Sequence, residues 1–123
     1  MVAHARVEAP NECCGILAGV KGRVIKLYRT ANTEHSPYHY TVDPHELLSI
    51  YEEMRDKKWE LLGIYHSHTH TEAFPSPTDI NSARLPESLC IIISLSDPNR
   101  PVIRGFHIKE GKITETELRI IEN

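Results

Sequence analysis

Apolar positions along the chain change their spacing several times, and each change marks an element. Residues 1 to 9 predict the end of a helix that stops at Pro10. Cys13 to Val20 is an apolar run closed by the turn pair Lys21-Gly22. Arg23 to Tyr28 then sets Val24, Ile25 and Leu27 among basic residues, so the two runs predict a hairpin. A short strand is expected over Tyr38 to Val42, after the polar stretch Thr30 to Pro37. Asp43-Pro44-His45-Glu46 predicts a helix start, with Asp43 as cap, Pro44 in the first position and Glu46 completing a capping box. Leu47, Leu48, Tyr51 and Met54 are expected to share its apolar face.

Leu61 to Tyr65 has the pattern of a buried strand and runs directly into His66-Ser67-His68. Thr69 to Pro77 reads as a loop, and Ser76-Pro77-Thr78-Asp79 can open a short helix through about Arg84. Leu89 to Ser96 is the most hydrophobic strand, closed by Asp97-Pro98-Asn99. Two more strands follow, near Val102 to Ile108 and Ile113 to Ile121, joined across Glu110-Gly111-Lys112. Strands interleaved with one long and one short helix predict an α/β or α+β domain with a mixed sheet, its strand pairing left open.

The length of 123 residues fits one domain, 1–123, and such a domain can bury a core without disulfides or metal staples. A metal would therefore serve chemistry rather than scaffolding. The formal net charge is −3 and no run of Lys or Arg stands out, which argues against nucleic acid or an anionic membrane as partner. Apolar runs such as Leu89 to Leu95 are far shorter than the roughly 20 residues of a membrane helix, and the first residues lack the layout of a signal peptide. Cys13, Cys14 and Cys90 are odd in number and read as reduced core thiols, so a cytoplasmic location is expected.

The segment that carries chemistry runs from His66 to Asp79. On a strand, residues two apart point to one face, so His66 and His68 can reach one ion from the end of an apolar strand. Asp79, opening a helix beyond a loop, can fold back to add an oxygen. Two imidazoles and a carboxylate leave a fourth tetrahedral position for water, the catalytic pattern for zinc. Iron and cobalt also suit such a donor set. A proton acceptor is needed as well. Glu12 borders the apolar run from Cys13, where a charge is costly without a partner, although a surface glutamate is the plainer reading of that residue alone.

Together, Glu12, His66-Ser67-His68, Ser76 and Asp79 resemble the JAMM (MPN-plus) metallopeptidase family. Its signature is an upstream Glu, then His-x-His, seven residues, Ser, two residues and Asp, and the spacing here fits throughout. The stretches Pro10 to Gly19 and Gly63 to His68 look like its first and second motifs, and the resemblance spans about residues 3 to 108. It is closest to short, stand-alone prokaryotic members. Two departures stand out. Thr69 occupies a position that is commonly proline, and the helix ahead of Glu12 looks shorter than in relatives.

The resemblance implies a JAMM/MPN-like (cytidine-deaminase-like) fold, a curved mixed sheet flanked by helices. It implies one zinc held by His66, His68 and Asp79, with Glu12 moving protons and Ser76 holding the oxyanion. It also implies cleavage of an amide bond after the C-terminal Gly-Gly tail of a ubiquitin-like or sulfur-carrier protein, one branch releasing cysteine. Homodimerisation is left open. Ser67 is expected on the opposite strand face, packed or hydrogen-bonded there.

His70 continues the period of the two histidines and suggests a third ligand, but a solvated loop residue is the plainer reading. No metal role is expected for His4, His35, His39, His45 or His107. The group His35, His39 and Tyr40 reads either as the border of a substrate groove or as a polar surface loop. Trp59 reads as packing or a partially exposed anchor, and Phe74 as a substrate contact or a loop anchor. A deaminase would need His-x-Glu and Pro-Cys-x-x-Cys, which are missing, and an amidohydrolase barrel needs roughly twice this length. Two competing functions are a non-enzymatic MPN interaction module and a zinc hydrolase of a small amide.

Overall fold

The computed structural model describes residues 1–82 and 88–119. Their elements are α1 (Val2–Glu8), β1 (Cys14–Val20), β2 (Arg23–Thr30), α2 (Pro44–Lys57), β3 (Glu60–His68), α3 (Pro77–Ser82), β4 (Leu89–Ser94), β5 (Val102–Lys109) and β6 (Lys112–Thr116). All six strands form one sheet in the order β2-β1-β3-β4-β5-β6. β3 and β4 run parallel, and the other four pairs are antiparallel. The mixed α/β sheet flanked by helices is therefore found.

Two hairpin turns follow from their sequences. Lys21 and Gly22 have φ of 52° and 77°, and Glu110 and Gly111 have 51° and 77°. Two successive positive φ values match the right-handed twist of the flanking strands, and glycine takes the second at little steric cost.

The sheet buries both faces. On one, Ala5 of α1 packs with Cys13, Leu17, Tyr65, Ile91, Ile93 and Leu95. On the other, Ile50 and Met54 of α2 pack against Ile16 and Ala18, with Trp59 at their edge, and Ala73 meets Ile92 and Phe106. Ile16, Ile92, Ile93 and Phe106 are at most 1% exposed, and burying each fully contributes about 1.5–3 kcal/mol. Gly15 lies opposite Tyr65 across β1 and β3, and a Cβ there would collide with the Tyr65 ring. That ring reaches through to bond its hydroxyl to Nδ1 of buried His4 at 2.8 Å.

Several local expectations are corrected. Tyr38 to Val42 is no strand; only a single bridge, Asn32 to Val42, forms there. Side chains of Asn32 and Ser36 take up backbone groups of this segment, so no ladder is needed. On α2 the buried stripe is Ile50 and Met54 with Leu47 beside them, whereas Leu48 is 61% exposed and Tyr51 38%. Asp43 does cap α2, its Oδ1 accepting from His45 and Glu46 N–H groups. Glu46 does not return the bond: its carboxylate accepts from the Ala31 N–H, and the Asp43 N–H donates to the Ala31 carbonyl instead. β4 stops at Ser94, before the expected Ser96, and β6 at Thr116. Arg84, Ile120 and Ile121, expected in elements, lie outside the described residues. No described helix is long and apolar enough to cross a membrane.

Candidate active site

The pairing scheme decides where the chemistry collects. β3 lies between β1 and β4, with His66 in register with Cys14 and His68 in register with Ser94. The start of β1 and the ends of β3 and β4 therefore meet at one end of the sheet. Strand alternation puts His66 and His68 on one face and Ser67 on the other. Ser67 is fully buried there, its Oγ accepting from the Cys13 N–H at 2.8 Å while its own N–H donates to the Cys13 carbonyl.

Asp79 reaches the histidines through a local device. Ser76 precedes α3 and its Oγ accepts from the Asp79 N–H at 3.1 Å; the Asp79 carboxylate accepts from the Ser76 N–H at 2.9 Å. This is a reciprocal cap with aspartate in the third helical position. It aims Asp79 Oδ1 at His66 Nε2 (3.2 Å) and Oδ2 at His68 Nε2 (3.1 Å), while the two Nε2 atoms lie 3.1 Å apart.

The donor set fits a cation. His68 Nδ1 lies 3.0 Å from the Glu72 carbonyl, which can only accept, so Nδ1 carries a proton and Nε2 of the neutral ring presents its lone pair inward. A second imidazole nitrogen and a carboxylate converge on that lone pair, and only a proton or a metal ion can satisfy all three. One ligand atom from each of His66, His68 and Asp79 lies within 4.8 Å of the others, a group that can bind a metal. Nδ1 of His66, buried, has no hydrogen-bond partner among the described residues.

Charges at the site are shifted accordingly. Burial works against the Asp79 carboxylate, but its contacts with the two imidazoles outweigh it and hold the group well below the usual range. Burial likewise disfavours charged His68, yet the Asp79 contact and the Glu72 carbonyl raise its pKa above the ordinary 6.5. Glu12, 6% exposed, is pushed up from 4.5 to about 7. Burial is the main cause; His68 opposes it, while Asp79 and Glu34 add to it. Cys14 and Cys90 are pushed up to about 11 and about 12 by burial, and Cys13 is raised too, so none of the three presents a thiolate at neutral pH.

A cavity of about 570 Å³ opens beside these groups, with Glu12, Asp79, Tyr40, His39, Ile64 and Cys90 among its lining. The segment of His39 and Tyr40 thus does border a groove. The Tyr40 ring stacks on His66 with centroids 4.6 Å apart and planes at 21°, a contact that no local pattern announces. His70 is exposed, with no place in the His66–His68–Asp79 group. Phe74 serves as an anchor: its ring meets Phe106 edge-on at 5.5 Å and lies 5.8 Å from the Arg104 guanidinium, which Glu115 holds with two bonds. With Ala73 buried and the Ser94 hydroxyl bonded to the Thr71 carbonyl, the loop from His68 to Asp79 is pinned at three successive points.

This arrangement has known counterparts. The family of prokaryotic homologues of the JAB domain matches residues 1–108. The chain belongs to that family. Among its relatives, the CysO-cysteine peptidase of Mycobacterium tuberculosis is 40% identical over 124 residues, covering 99% of this chain and 85% of the relative. A desampylase of Pyrococcus furiosus is 32% identical over 107 residues, covering 87% and 74%. The solution structure of a protein from Desulfitobacterium hafniense superposes with a TM-score of 0.89 at 39% identity, over 100% of this chain and 87% of that one. The first of these relatives is named a peptidase and the second a desampylase.

Proposed function

We propose that this chain is a zinc metallopeptidase that hydrolyses the amide bond following the C-terminal Gly-Gly tail of a ubiquitin-like or sulfur-carrier protein. The observation that carries the reading is the convergence of the His66, His68 and Asp79 donor atoms beside a buried, proton-holding Glu12 at the mouth of a groove. The names of the relatives support the substrate class.

His66, His68 and Asp79 would hold the zinc, and Ser76 and Glu72 fix the orientation of two of them. When bound, zinc supplies a Lewis acid that acidifies water and polarises the scissile carbonyl. Glu12, with a pKa near neutrality, is matched to both halves of the proton transfer: it takes the proton of the attacking water and gives it to the leaving amine. Its low exposure keeps bulk water from competing. The Ser76 hydroxyl accepts from the Asp79 N–H and retains its own hydrogen, which it donates to the oxygen that gains charge. The groove beside Tyr40 and Ile64 takes the extended tail.

The test is incubation of zinc-loaded protein with carrier–cysteine and carrier–lysine adducts and with unrelated peptides and small amides. Cleavage confined to an adduct, directly after the Gly-Gly tail, is the expected result. Intact adducts beside cleaved peptides or amides would overturn the substrate assignment.

A further inference from the structure

We propose that Asn32 is a positioning residue that fixes Glu12 and the Tyr40 wall of the site with one side-chain amide. The inference rests on the reading of Glu12 as the proton carrier and adds what holds it there.

Glu12 lies outside the sheet, since β1 begins only at Cys14. Its backbone is nevertheless bonded on both sides. Its N–H donates to the Ser36 carbonyl at 2.8 Å, and its carbonyl accepts from Asn32 Nδ2 at 3.1 Å. Both partners belong to the segment from residue 32 to residue 42, which crosses the site without forming a strand.

Asn32 also gives that segment its shape. Its Nδ2 donates a second bond to the His39 carbonyl at 2.9 Å, and its Oδ1 accepts from the N–H groups of Glu34 at 3.0 Å and Thr41 at 3.1 Å. Both donors and both acceptor positions of the amide are used, every one on a backbone group. The residue is 8% exposed, so water cannot replace these bonds cheaply. The Thr33 N–H to Thr41 carbonyl bond (3.0 Å) and the bridge to Val42 close the neck of the loop around it.

Tyr40 sits between His39 and Thr41, two of the four residues whose backbones Asn32 holds, and its ring is the one stacked on His66. One amide therefore ties the proton carrier, through its carbonyl, to the aromatic wall over a candidate ligand. No other residue type offers two donors and two acceptors in this span: aspartate loses both donors, and leucine loses all four contacts.

A residue acting this way should matter to geometry more than to folding or metal. Displacing a reacting group by about 1 Å lowers turnover on the order of 100-fold. The experiment compares zinc-loaded wild type, Asn32→Ala and Asn32→Asp by amide hydrogen exchange, zinc content and kinetics on the adduct that wild type cleaves. Asn32→Ala should speed exchange at Glu12, Glu34 and Thr41 by at least roughly tenfold while leaving Ile92 protected. It should keep the wild-type zinc content and lose kcat by roughly 100-fold with KM little changed. Asn32→Asp, which keeps the acceptor, should leave Glu34 and Thr41 protected, free the Glu12 carbonyl, and fall between the two in kcat.

The proposal is overturned if Asn32→Ala keeps kcat within roughly twofold of wild type, or if protection at Glu12 and at Ile92 is lost together. If wild type itself cleaves no adduct, the reading of Glu12 fails instead, and the exchange data alone decide whether Asn32 orders it.

Discussion

The two sides of the candidate site are built by different means. On the metal side, His66 and His68 occupy alternate positions of a strand bonded to neighbours on both edges, and their spacing follows from the pleat. On the base side, Glu12 precedes its strand and is held by hydrogen bonds from a loop without regular structure. A sheet places side chains through periodicity, so every residue of the strand contributes to the placement. A loop places them through a few polar contacts, each of which has to be made. The first construction tolerates the loss of a neighbour; the second does not.

Removing one candidate ligand on the metal side should give the largest effect. His68→Ala is expected to reduce zinc from about one per chain to none on elemental analysis, with turnover down by three orders of magnitude or more, since the metal supplies several kcal/mol. Full zinc content in that variant would break the assignment of the metal side.

Next comes Glu12→Gln, which separates the sides: zinc should stay while kcat falls by roughly 100- to 10,000-fold. The same variant has a pH signature. In the folded chain the Glu12 carboxyl keeps its proton up to about pH 7, whereas in the unfolded chain it ionises near the ordinary value of 4.5. The folded state holds more protons between those values, so this group's contribution falls as pH rises from 4.5 to 7. The drop is on the order of 3 kcal/mol. In chelator, urea midpoints of wild type should decline relative to Glu12→Gln across that window, and parallel midpoints would show that burial does not hold the proton. Asp79, ionised in both states there, does not contribute to the slope.

The smallest effect is expected where the metal-side loop is pinned from outside. Arg104→Ala removes the cation beside Phe74 and Phe106 and the exposed pair with Glu115. It should lower stability by about 1 kcal/mol and leave zinc content unchanged, because Thr71 and Ala73 still hold the loop. A large loss of zinc would show that the metal side, too, hangs on single contacts.

This difference also explains what could be read from the chain alone. The strand of His66, the capping turn of Ser76 and Asp79, and both hairpin turns each write a local pattern into consecutive residues. Ser67 on the far face follows from the same alternation. The stripe on α2 differs from the expected one because Leu48 and Ile50 are equally apolar, and only the position of Ile16 and Ala18 decides which one is covered. The link from Glu46 to Ala31 and the stack of Tyr40 on His66 join residues 15 and 26 positions apart, and no spacing rule announces them. Asn32, an asparagine in a polar stretch, reads as an ordinary turn residue until the groups around it are located.

The two hairpin turns have a consequence for handling the molecule. Lys21-Gly22 follows the end of β1 that lies away from Glu12, and Glu110-Gly111 follows the end of β5 that lies away from Ser94 and His68. Lys21-Gly22 therefore projects from the end of the sheet away from Glu12 and the groove, whereas Glu110-Gly111 comes two residues after Ile108, which lines the groove; a Cβ at either glycine would meet nothing within 4 Å. A dye, a biotin or a surface tether attached at Lys21-Gly22 would leave the groove facing solution, and one at Glu110-Gly111 would sit beside it. The molecule carries, at its far end, one ready point of attachment through which it can be immobilised with its working face outward.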